Sequence, residues 1–126
     1  MNDIKHKTRT ITLTNRAPVT IREADWPTIA YGIDSPGSYW NGTPTPGDEV
    51  DTYTLRVRQH ADGRAIVYGV IDAATAWTGT KDWRGGKLVS SGEDIVQAIQ
   101  RVGADGDILD SVIRECIADL PAEVLS

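Results

Sequence analysis

One cysteine, two histidines, one methionine and no phenylalanine occur among the 126 residues. Each scarcity closes a class of chemistry. A lone Cys116 has no partner for an internal disulfide, which agrees with a reducing compartment. It also falls on an apolar helical stripe, where a thiol behaves as a small hydrophobe rather than as an accessible nucleophile. His6 and His60 cannot assemble a multi-histidine metal site, and neither a metal nor a cofactor is expected. No run of 18 apolar residues exists, which excludes a membrane-spanning helix. The polar start Met1–Thr10 lacks the hydrophobic stretch of a secretory signal, so a cytoplasmic location is expected.

Phosphate-binding signatures are missing too. No G-x-G-x-x-G follows a strand, and around Gly85-Gly86-Lys87 the phosphate-loop pattern fails, with Lys81 where its first Gly belongs and Leu88 in place of Ser or Thr. Asp105, Asp107 and Asp110 lack the residue order of a calcium loop and read as acidic capping of a helix start. His60 and Asp62 flank a turn, but no nucleophile is tied to them. No catalytic residue is assigned, and an enzyme remains open only through carboxylates that the fold would have to bring together.

What is present suits one domain, residues 1–126, with a flexible tail at 1–8. Hydrophobic residues make up 40% of the chain, and the net charge of −5 is unevenly spread. Residues 1–22 hold five bases and one acid, 23–53 six acids and no base, 54–91 six bases and three acids, and 92–126 two bases and eight acids. An acidic total argues against a general nucleic-acid coat but leaves room for a local basic face.

Residues 9–14 alternate Ile11 and Leu13 with Thr10, Thr12 and Thr14, the period of a half-buried strand. Glu23, Asp25 and Pro27 resemble a helix start, and Trp26, Ile29 and Ala30 fall at i, i+3 and i+4, which predicts a short helix over 23–31. Residues 32–50, dense in Pro and Gly, predict a long loop centred on Tyr39 and Trp40. Strands at 53–61 and 64–72 flank Asp62-Gly63, which predicts a hairpin with a two-residue turn. That register sets Val57 opposite Tyr68 and puts Tyr53, Leu55, Val57, Ile66, Tyr68 and Val70 on the core face. A possible strand at 86–90 follows. Ser90 or Ser91, with Glu93 in capping-box spacing, opens a helix whose stripe is Ile95, Val96, Ile99 and Val102, and a last helix spans 107–120 until Pro121. The expected fold is α+β: an antiparallel sheet of three to four strands, two C-terminal helices packed on one face, and a short N-terminal helix.

Two candidate binding surfaces remain. Arg56 and Arg58 alternate on one strand face with His60 nearby, at a spacing suited to phosphates or to carboxylates of a partner helix. The bland alternative is a helix of the same chain lying across that face. Trp77, Lys81, Trp83 and Arg84 form a loop that pairs aromatic rings with cations, as single-strand binders do, or whose rings pack onto the sheet edge.

The stretches Tyr53–Gly69, Arg9–Thr14 with Asp25–Ala30, and Arg114–Glu123 resemble a group of small proteobacterial proteins carried on plasmids and genomic islands, for which no activity is established. The resemblance implies a bacterial accessory role, often linked to mobile elements, and transfers no site residue. The expected function is a non-enzymatic interaction module with a protein partner. It docks through the Arg56/Arg58/His60 face, the tryptophan loop or the acidic helical side. One version is an inhibitor or modulator of a host protein, its acidic helices mimicking nucleic-acid charge. The alternative is direct nucleic-acid binding.

Overall fold

The computed structural model describes residues 7–35, 51–73 and 80–123. It is an α+β fold in three layers. Strands β1 (Thr8–Ile11) and β2 (Val19–Arg22) form a two-stranded antiparallel sheet. A 3-10 turn at Glu23–Asp25 leads into β3 (Thr28–Asp34), then β4 (Thr52–Gln59), β5 (Ala65–Asp72) and β6 (Trp83–Val89), an antiparallel meander in the order β3-β4-β5-β6. Helices α1 (Ile95–Asp105) and α2 (Asp110–Ala118) close the described chain. No helix among the described residues is long and apolar enough to cross a membrane.

The four-stranded sheet is covered on both faces. On one, Ala30, Leu55, Val57, Ala65, Val67, Ile71 and Val89 pack against Ile99, Val102, Val112 and Cys116 of the helices. On the other, Ile66 is buried with Ile11, Leu13, Ile21 and Trp26, and Tyr68 and Leu88 flank them. Cladding on both sides explains why β5 reads as a nearly unbroken apolar run rather than an alternation.

The hairpin register differs from expectation by one residue. Val57 faces Val67 and Leu55 faces Gly69, so Val67, Gly69 and Ile71 join the helix side while Ile66, Tyr68 and Val70 turn outward. The turn is the cause. His60 N–H donates to the Arg64 carbonyl at 2.9 Å and Gly63 N–H to the His60 carbonyl at 3.0 Å, enclosing three residues, Ala61 to Gly63. Gly63 alone takes positive φ there, +98°, as in a three-residue hairpin loop, and a one-residue slip moves a strand's whole apolar set to the opposite face.

The helix expected over 23–31 is replaced by the 3-10 turn and β3. A bulge between Thr28 and Ala30 sets the consecutive Ile29 and Ala30 both on the helix side, while Trp26 lies against the outer face. Trp26 thus mimics helical spacing to Ile29 and Ala30 without sharing their face. Residues 32–34, placed in the loop by the sequence reading, complete β3, and 36–50 lie outside the described residues. Of the strand expected at 9–14, residues up to Ile11 pair with β2 rather than joining the larger sheet, while Thr14 N–H donates to the Gly86 carbonyl of β6 at 2.9 Å. Helix α1 begins later than its serines suggest: Asp94 is the N-cap and accepts from Val96 and Gln97 N–H, while Ser90 and Glu93 bond each other in the preceding turn. Gly32 lets α2 approach β3, since a Cβ there would lie 2.4 Å from the Val112 carbonyl oxygen.

Candidate functional site

Among the described residues the β1–β2 sheet covers only part of the outer face. Across β3 to β6 the outward residues form rows, namely Thr28, Arg58, Ile66 and Leu88, then Tyr31, Arg56, Tyr68 and Gly86, then Ile33, Thr54, Val70 and Arg84. The first row lies under Trp26 and its neighbours. The third carries Ile33, 41% exposed, the one exposed large hydrophobic residue among those described.

The two strand arginines have different surroundings. Arg58, 8% exposed, donates from Nε to Tyr68 Oη and from Nη1 to the Trp26 carbonyl, both at 3.0 Å, and its Nη2 lies 3.8 Å from Glu23 Oε1. Arg9 Nε meets the same carboxylate oxygen at 2.6 Å. The Arg9 hydrogen bond, reinforced by the positive charges of Arg9, Arg58 and Lys7, holds the Glu23 carboxyl below the usual carboxylate range despite the opposing effect of burial. This knot ties the small sheet to the large one. Arg56 instead stacks its guanidinium on Tyr31, 4.3 Å from the ring centroid, and donates from Nη1 to Thr28 Oγ1 at 3.0 Å. It is half-buried, on the part of the face left open.

His60 sits at the hairpin end, its ring 5.0 Å from that of Trp26, with Nδ1 accepting from Asp62 N–H at 3.1 Å. Asp62 is also held by Arg64, whose backbone N–H lowers its carboxyl pKa most. Both side chains therefore serve turn geometry. Trp83 joins the helix-side cluster, its ring against Gly106. Lys81 is exposed, and Arg84, 65% exposed, lies 3.9 Å from Asp72 on the outer face. Tyr39, Trp40 and Trp77 lie outside the described residues. The structure thus brings Arg56 and Arg84 to one face, sets Arg58 inside it, and separates Trp83 from both.

Tyr31, Ile33 and Arg9 belong to this surface and were missed. The first two were hidden by the helical reading of 23–31 and the loop reading of 32–50, although Tyr31-Gly32-Ile33 has the aromatic and β-branched character of a strand. Charge divides between layers: Arg9, Arg56 and Arg84 border the open outer face, whereas the helix layer exposes Asp105, Asp107, Asp110, Glu115 and Asp119 beside Arg101 and Arg114. No protein-family model, curated protein or solved structure matches the chain.

Proposed function

We propose that this chain is a non-enzymatic interaction module that docks a protein partner through the open half of its outer sheet face. The observation that carries this reading is the Arg56–Tyr31 stack beside exposed Ile33. Arginine and tyrosine are the residue types that dominate interface energetics, and a ring-supported guanidinium is pre-ordered for a bidentate carboxylate contact. The sequence resemblance to plasmid- and island-borne proteins implies a bacterial accessory role, and this reading takes a host protein as the partner. Nucleic-acid binding is the second reading, favoured by the arginines at this face. It is weakened by the internal hydrogen bonds of Arg58 and by Trp83, whose ring lies with the helices.

The test compares affinity capture by the native chain and by an Arg56→Glu/Ile33→Asp variant of unchanged circular dichroism. A protein retained by the first and lost from the second supports the reading, and equal retention refutes it. Fluorescence anisotropy with single- and double-stranded oligonucleotides at near-physiological salt separates the classes, because the docking reading expects no binding there.

A further inference from the structure

The free edge of β1 adjoins the same open face. Glu23 N–H donates to the Lys7 carbonyl at 3.0 Å, and the register sets Arg9 opposite Ile21 and Ile11 opposite Val19. Antiparallel alternation then turns the backbone N–H and C=O of Thr8 and Thr10 away from β2. Among the described residues β1 pairs with β2 alone, and no other described strand lies beside this edge. Between it and the large sheet lies a cleft of about 100 Å³, bounded by Arg9, Thr10, Thr12, Tyr68, Val70 and Arg84.

Of the two cations at the cleft only Arg84 is lightly engaged, and Arg9 has only its terminal guanidinium nitrogens left to offer. Arg9 commits Nε to Glu23, and Arg84 meets Asp72 only at 3.9 Å with both side chains well exposed, a pairing of little strength in water. A strand added to the β1 edge would lie about 4.8 Å from it and turn alternate side chains toward Val70, Thr54 and the arginines. The acidic helix layer is remote from this face and would repel an acidic segment that approached the wrong side.

We infer that the free edge of β1 is a strand-addition site for an extended acidic segment of the partner. Its backbone pairs with Thr8 and Thr10, and its alternate carboxylates meet Arg9 and Arg84. This deepens the docking reading above and rests on it. Backbone pairing supplies affinity without regard to sequence, and the arginines select carboxylates at every second position.

The experiment selects binders to the full chain from a displayed library of random 12-residue peptides, then measures the enriched peptides by anisotropy and by amide exchange. The expected result is enrichment of Asp or Glu at alternate positions and at least tenfold slower exchange of the Thr8 and Thr10 amides on binding. Arg84→Glu should weaken binding tenfold or more. So should Thr10→Pro, which removes a free-edge donor and leaves the β2 ladder intact, with folding checked by amide spectra. Enriched peptides without acids, affinity unchanged in Thr10→Pro, protection confined to other amides, or no enrichment overturns the inference. So does a concentration-dependent dimer that occupies the edge, or an oligonucleotide that displaces the peptide at near-physiological salt. If the Arg56→Glu/Ile33→Asp variant loses its captured protein while no peptide pairs with Thr10, docking stands and strand addition alone falls.

Discussion

Arg56 rests its guanidinium 4.3 Å above the centre of the Tyr31 ring. Two residues along the same strand, Arg58 directs its nitrogens to Tyr68, to the Trp26 carbonyl and toward Glu23. Neighbouring arginines of one pleat face therefore have different surroundings, one stacked on a ring at the outer face and one holding two sheets together.

Replacement should separate these roles. Arg58→Met leaves the buried Trp26 carbonyl and the Tyr68 hydroxyl without their donor, and is expected to cost about 1–3 kcal/mol in urea unfolding. Arg56→Ala should change stability by less than about 1 kcal/mol, as for other exposed pairings, and should abolish partner capture. Equal stability losses in the two variants would contradict the assignment.

Acid should loosen the small sheet. Glu23 has a lower pKa folded than unfolded, chiefly through its Arg9 hydrogen bond. Its contribution to stability is therefore present above the unfolded value and disappears as the pH falls through the folded one. Asp62 and Glu93, lowered mainly by the backbone N–H groups of Arg64 and Ser90, act in the same sense. Thermal midpoints of the native chain should fall across and below the usual carboxylate range, and Glu23→Gln should flatten part of that slope. Parallel profiles for the two chains would refute a role for this carboxylate.

Cys116 is enclosed in the helix-side core, and burial, aided by Asp119 and Glu115, pushes its thiol up to about 12. A disulfide reagent at pH 8 should label the native chain only as fast as it opens, and urea should accelerate the reaction by orders of magnitude. Burst labelling of the folded chain would show a more open core.

Gly32 marks the closest approach of α2 to the sheet. With a Cβ set 2.4 Å from the Val112 carbonyl oxygen, Gly32→Ala must displace the helix backbone, and a loss of about 1–3 kcal/mol or more is expected. A variant as stable as the native chain would mean that α2 is held less tightly than its contacts suggest.

The α+β class, the 53–72 hairpin and the two C-terminal helices were legible because apolar spacing and turn residues agree there. The hairpin register was not, because Asp62-Gly63 is compatible with two loop lengths and β5 is apolar on both faces. The segment 23–34 misled through a bulge: Ile29 and Ala30, adjacent on one face, counterfeit part of a helical stripe. Of the site, the sequence picked out Arg56 and Arg84. It could not separate Arg56 from Arg58, since both sit on the same pleat face and only the position of Trp26 and Glu23 decides which is enclosed. Tyr31 and Ile33 became visible as partners of Arg56 and Thr54 only once β3 was a strand.

Site-specific photo-crosslinking in living bacteria tests the docking face most directly, with a photoreactive residue placed in turn at Ile33 on the sheet and at Arg114 on α2. The account predicts a discrete protein adduct from position 33 that vanishes when Arg56→Glu is added, and none of that mass from position 114. An adduct from position 114 alone, or one from position 33 indifferent to Arg56, would contradict it.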